Sequence, residues 1–220
     1  TMREVTHISC EKGTVNIILD SSSRTTVSAP SFRFGSYTEL VDATFTQKEL
    51  ERIKDGEIAD ITFSFVVSDD LEDAAIMSMY QDAVEKNEEI VGTLNKGFLL
   101  EVSASKQIGD DEIQELYSLS DDVELQMDLP LYLVRENRDY FFLAEKMGEY
   151  ELFDDATPDA DVLTISTHII SPGMVLYQDE GEGLVEKSSS FFSITSRHLL
   201  MVGIVALIIL WFVLDRFHRR

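Results

Sequence analysis

From Leu199 to Leu214 the chain runs sixteen residues without a charge or a strong polar group, and a stretch of this kind is at home only in a bilayer. As a helix rising about 1.5 Å per residue it measures roughly 24 Å, a little short of the ~30 Å hydrocarbon core. Phe191, Phe192 and Ile194 entering the interface, with Arg197 and Arg216 snorkelling their charges outward, close that deficit. Trp211 falls in the last turn, where an indole favours the headgroup level. A helix buried in a protein core rarely lacks polar residues over four turns and then stops in a basic cluster. The expectation is therefore a transmembrane helix over 197–216, with the lipid bilayer as its partner through 199–214.

The flanks set the orientation. Arg216, Arg219 and Arg220 follow the apolar run, whereas in the thirty residues before Arg197 the only lysine or arginine is Lys187. Short basic flanks stay cytoplasmic, which puts the N-terminal region outside and a basic tail, 217–220, inside. Residues 1–20 carry no charged n-region followed by an apolar h-region and a cleavage site, so the expectation is a mature or truncated chain. A tail-anchored cytosolic protein, which needs no export signal, is the competing reading.

The tail from Asp215 onward holds three Arg and one Asp, so the residues before it carry 15 basic against 40 acidic side chains, a net charge of −25. That balance disfavours nucleic acid, whose affinity rests on Lys and Arg neutralising phosphates. It suits a domain that must stay dispersed in solution or bind cations. Thirteen Phe and seven Tyr argue against disorder. A lone Cys10 excludes an internal disulfide, so an exported domain of this sequence is stabilised by packing alone.

Along the chain, Val15, Ile17 and Leu19 share one strand face before Ser21, Ser22 and Ser23 break it. Residues 25–45 read as short strands interrupted by Pro30 and Gly35, with Phe32 and Phe34 alternating against Arg33. Thr46 and Glu49 form a capping box, Phe45 and Leu50 a hydrophobic staple, and Gly56 a C-terminal stop, which predicts a helix over about 46–55. Ile61, Phe63, Phe65 and Val67 make a strand with one buried side. A second helix is predicted over 70–86, with Ile76, Met79, Tyr80 and Ala83 as its core stripe and 87–95 as a connector.

Further strands follow from the alternation of Phe98, Leu100, Val102 and Ala104, and of Val123, Leu125, Met127 and Leu129. A hairpin joins 139–146 to 149–153 across Met147 and Gly148, and 161–169 and 174–177 complete the series. The fold class expected is mainly β: an antiparallel sandwich-like region over 1–178, one domain or two sub-domains (1–95 and 96–178), with two short helices. A polar stalk over 179–196 would hold it off the membrane.

The succession from Thr44 through TFTQKELERIKDGEIADITFSFVVSDD, GFLLEVSASKQIGDDEIQEL, RDYFFL and THIIS to Tyr177 resembles a β-rich module found near the C-terminus of large cell-surface proteins of clostridia and related Gram-positive bacteria. The resemblance spans about residues 42–178. It implies an extracellular, anchor-proximal module of adhesin-like surface proteins, contacting a protein or glycan, with no catalytic residues to carry over. Many relatives bear an LPxTG sorting motif before the apolar segment; here ITSRHLLM stands in its place, so the helix itself is expected to be the anchor.

Motifs for catalysis are missing from the sequence. His7, His168, His198 and His218 have no metal-ligand spacing, and neither a P-loop, GxSxG nor GxGxxG occurs. Cys10 has no neighbour suggesting a nucleophile. Crowded oxygen ligands in DDATPDAD make Asp154, Asp155, Asp159 and Asp161 the first place to look for Ca²⁺, although the spacing is not that of DxDxDG and a solvated acidic turn is the simpler reading. The function expected is a membrane-anchored extracellular structural or binding module, spacer or adhesin-like. An exported enzyme with its catalytic domain upstream and a tail-anchored adaptor are the alternatives.

Overall fold

The structure, a computed structural model, describes residues 1–26, 28–69, 74–146, 148–157, 159 and 161–181. The expected transmembrane helix, its interface residues Arg197, Trp211, Arg216, Arg219 and Arg220, and the stalk from residue 182 onward lie outside the described residues. Among the described residues no helix is long and apolar enough to cross a membrane. The chain divides into two units, Thr1–Gly183 and Leu184–Arg220, of which the first is described below.

That unit is mainly β, with three helices among its described residues. In chain order its elements are β1 (Met2–Cys10), β2 (Gly13–Ser23), β3 (Phe32–Phe34), α1 (Tyr37–Thr44), α2 (Gln47–Asp55), β4 (Ile58–Ser68), α3 (Ala74–Val91), β5 (Asn95–Ile108), β6 (Gln114–Leu116), β7 (Ser118–Asp128), β8 (Arg138–Lys146), β9 (Glu149–Asp154), β10 (Val162–Ile169) and β11 (Gly173–Asp179). An eight-stranded sheet runs in the order β1, β2, β4, β5, β11, β8, β9, with β6 beside β5; a three-stranded sheet runs β10, β7, β3.

One pair departs from the antiparallel expectation: β2 and β4 are parallel over ten residues. Parallel neighbours need a long crossover, and here it carries β3 into the second sheet and then forms α1 and α2 before returning. β2 itself continues through Ser21, Ser22 and Ser23, because Ser23 still pairs with Val67 of β4. Neighbouring strand pairing overrides the weak local preference of three serines. At the other end of the unit, β11 reaches Asp179, one residue into the expected stalk.

The main core lies between the two sheets. Val15, Ile17 and Leu19 of β2 and Ile61, Phe63, Phe65 and Val67 of β4 meet Phe32 and Phe34 of β3 and Val123, Leu125 and Met127 of β7. Phe32 stacks on Phe65 with ring centroids 3.9 Å apart and planes 5° from parallel, filling the space between the sheets with aromatic surface. Residues 1–95 and 96–178 share this core, and β4 and β5 pair across that boundary from Ala59↔Ile108 to Ser68↔Leu99.

Two short helices were expected in the β-rich region, and three are present among its described residues. α1 fills part of the stretch read as short strands; the Ser36 hydroxyl caps it by accepting from the Glu39 amide at 3.2 Å, and Leu40 and Val41 point into the core. An eight-residue helix has too few turns to impose a period on the sequence. α2 matches its capping box: the Thr46 amide donates to Glu49 Oε2 at 2.7 Å and Gly56 ends the helix at φ 127°. Gly13 seats α2 against β2, since a Cβ there would lie 1.9 Å from the Ile53 carbonyl oxygen.

α3 runs on to Val91, through residues read as a connector, and covers the outer side of β5, β11 and β8. Tyr80 and Ala83 are buried there, with Met77, Val84 and Val91 packed alongside. Ile76 and Met79, placed on the core stripe by spacing, are 43% and 46% exposed. The apolar sheet surface beneath selects the Met77–Tyr80–Val84–Val91 side, and periodicity alone had two overlapping stripes to choose from.

Candidate functional site

The acidic turn named as the first place to look for Ca²⁺ follows β9. Asp154 ends that strand, and the Asp155 carboxylate bends back into its own loop, where Oδ1 accepts from the amides of Thr164 at 3.0 Å and Thr157 at 3.1 Å. Desolvation pushes the Asp155 carboxyl above the usual range, and these hydrogen bonds only partly offset it. Asp159 and Asp161 use their backbone carbonyls to receive Val162 and Leu129 amides. Among the described residues no group of three or more His, Cys, Asp or Glu side chains is placed to share a metal ion.

Beside the turn lies a cleft of about 650 Å³ whose lining includes Asp139, Asp154 and Asp159 together with Arg135 and Arg138. Both arginines are engaged by Asp179, Arg135 through Nη1 to Oδ2 at 3.4 Å. Arg138 grips Asp179 with two prongs, Nε to Oδ1 at 2.9 Å and Nη2 to Oδ2 at 3.0 Å, donates Nη1 to the Leu133 carbonyl, and lies 3.8 Å from the centre of the Tyr177 ring. This grip holds the Asp179 carboxyl below the ordinary range. Tyr140 fastens the same loop by donating to the Leu133 carbonyl at 2.6 Å. The cluster is a clasp on the end of β11, and sequence spacing did not reveal it because Arg138 and Asp179 are 41 residues apart.

A second cleft, of about 500 Å³, opens where the large sheet is interrupted. β5 has fourteen residues. On one side it pairs with β11 as far as Leu100 and with β6 from Ala104 onward, leaving Glu101, Val102 and Ser103 with no strand neighbour there. The Ile170 amide bonds the Tyr117 carbonyl at 3.3 Å and joins the two walls. Leu116, Ile169, Ile170 and Pro172 supply apolar lining; Glu115, Glu145, Lys146 and His168 supply polar groups. Tyr117 stands at this cleft 80% exposed. His168 is held between Asp122, Nδ1 to Oδ1 at 2.6 Å, and Lys146, Nε2 to Nζ at 3.3 Å, so the imidazole links the two sheets.

The remaining sequence candidates are dispersed. His7 pairs with Asn16 at 2.7 Å, and Asn16 donates to Asp60 at 2.7 Å, forming a polar row across β1, β2 and β4. Cys10 is a free, half-buried thiol; burial, and then Asp42 nearby, push its pKa up, away from thiolate reactivity. His198 and His218 lie outside the described residues. Comparison of the chain with known protein families, curated proteins and solved structures found no match in any of the three.

Proposed function

We propose that this chain is the membrane-tethered, outward-facing end of a bacterial surface protein, a β-rich domain that binds a partner or spaces other domains and performs no catalysis itself. The observation that carries this reading is the way its last strand is held. β11 pairs with β8 along all seven residues and with β5 over five of them, and Arg138 clasps Asp179 just before the chain proceeds toward the apolar run. A pull transmitted along β11 has to shear two hydrogen-bonded ladders together instead of peeling them open one bond at a time. Such a strand suits a domain held by its C-terminus.

The sequence supports the rest of the reading: an uncharged run from Leu199 to Leu214, a basic tail behind it and a domain of strongly acidic balance ahead of it. The resemblance to clostridial surface modules supports a Gram-positive, adhesin-like setting, with a protein or glycan as partner. Fractionation tests the tether. The full chain is expected to sediment with membranes and to resist alkaline carbonate, and the chain ending at Ser196 to remain in the supernatant. Full-length chain released by carbonate would overturn the anchor and this reading with it.

A further inference from the structure

We infer that the cleft at the interruption of the large sheet is a binding site for a neutral glycan, with a pyranose ring seated on Tyr117. The inference rests on the reading of an outward-facing binding domain and names the class of ligand.

The argument starts from what the sheet leaves open. Because β11 stops pairing at Leu100 and β6 begins at Ala104, Val102 and Ser103 line a gap in the surface of the sheet. The walls come from separate strands that are otherwise fixed: β6 and the start of β7 on one side, the ends of β8 and β10 on the other. A cleft of about 500 Å³ built this way falls in the range of small-ligand sites, roughly 300–1,000 Å³.

Its chemistry is two-sided in the way a pyranose is. A sugar ring offers apolar C–H faces and a rim of hydroxyls. Tyr117 presents its ring to solvent, 80% exposed, and a large rigid aromatic of this kind is the residue type that dominates binding hot spots. Leu116, Ile170 and Pro172 continue the apolar surface. Around it, Glu115 and Glu145 offer carboxylate acceptors for hydroxyl donors, and the Lys146 ammonium offers donors. The chain from Asp122 through His168 positions the Lys146 ammonium before any ligand arrives, and Glu145 is steadied by the Gly148 amide at 2.5 Å.

Charge narrows the class. Two carboxylates with Asp122 behind them outweigh Lys146, so phosphorylated and sulfated ligands are repelled. An added peptide strand is disfavoured because only three residues of β5 lack a neighbour. A neutral, hydroxyl-rich ring with an apolar face remains.

The test uses the full chain in lipid nanodiscs on an array of neutral oligosaccharides (gluco-, galacto- and manno-configured), with heparin and polylysine as charged probes, followed by titration calorimetry of the strongest neutral hit. Binding of a neutral oligosaccharide is expected, weakened at least about tenfold by Tyr117→Ala, retained by Tyr117→Phe, reduced by Glu115→Gln, and untouched by Tyr132→Ala, an exposed tyrosine outside this cleft. Tyr117 is mostly solvent-facing, so Tyr117→Ala is expected to keep the thermal midpoint of the parent. Retention only of heparin or polylysine, no retention of any probe, or neutral binding that survives Tyr117→Ala would each overturn the site. These outcomes leave membrane tethering intact, whereas failure of the carbonate test leaves the calorimetry standing, so the two readings fail separately.

Discussion

The large sheet treats its outer surface differently at its two ends. On the β2 and β4 side the outward residues include the half-buried polar groups Thr14, Asn16, Asp20, Asp60, Thr62 and Ser64, with Ile18 and Val66 between them, and the His7–Asn16–Asp60 row crosses this face. Toward β11 and β8 the outward residues are Leu99, Phe141, Leu143, Met174 and Leu176, sealed beneath α3. Inner-facing residues are mostly apolar at both ends, with Lys106 of β5 a buried charge among them. A strand with one wet face therefore alternates, and a strand with both faces covered reads as an unbroken apolar run, as in Tyr140–Ala144. One sheet obeys two sequence rules according to what lies on top of it.

Substituting a carboxylate on each outer face gives the sharpest contrast. Leu143→Asp buries a charge at a position with no solvent exposure, and loss of more than about 4 kcal/mol, in effect unfolding, is expected. Thr62→Asp on the wet face, where the side chain still reaches water, is expected to cost no more than about 1 kcal/mol. Equal losses in denaturant titrations would erase the distinction between the two faces.

Next in size is a charge on the inner face at the wet end. Lys106 is buried, pairs with Glu49 Oε2 at 2.8 Å and sits 5.3 Å from the Phe45 ring centre. Burial alone would raise the Glu49 carboxyl, but hydrogen bonds from Lys106 and Thr46 outweigh it and hold it below its ordinary value. Lys106→Ala is expected to cost about 2 kcal/mol, less than for a fully buried pair because Glu49 still reaches water. A depressed carboxylate contributes stability above its unfolded pKa of about 4.3 and loses it as pH falls through the folded value. Stability of the parent is thus expected to decline below about pH 4.5, and less steeply in Lys106→Ala.

A smaller effect tests how α3 is fastened. The Tyr80 hydroxyl donates to the Pro172 carbonyl at 2.7 Å, and burial pushes its pKa well above the ordinary tyrosine value. Tyr80→Phe keeps the ring and loses the bond, for about 1 kcal/mol. No change would mean that the α3 seal depends on apolar packing alone.

Asp155 gives the smallest effect, with the opposite sign. Its folded carboxyl titrates above the unfolded value, so ionisation opposes folding at neutral pH and the cost vanishes as the pH drops through that window. Asp155→Asn keeps an acceptor for Thr164 and is expected to leave the thermal midpoint at pH 7 equal or slightly higher. Added Ca²⁺ is expected to shift neither protein; a Ca²⁺-dependent rise in the parent that Asp155→Asn abolishes would make the turn a metal site.

What the sequence made readable was local. α2 carries its own start and stop in Thr46, Glu49 and Gly56, and the faces of β4 and β7 follow from period two because a core lies on one side of each. The hairpin of β8 and β9 pairs Lys146 with Glu149 across a short turn. Less readable was everything decided by distant partners: the parallel match of β2 to β4, the side of α3 that faces the sheet, and α1, too short for a period. The Tyr117 cleft belongs to this second group. It exists because β11 and β6 share β5 without meeting, and no single stretch of sequence records that.

The most direct measurement is protease treatment of intact cells that produce the chain in its natural precursor, followed by detection with an antibody raised against the acidic domain. Loss of the signal without lysis is the result predicted for an outward-facing tethered domain. Protection until the cells are lysed would contradict it and move the domain to the cytoplasmic face of the membrane.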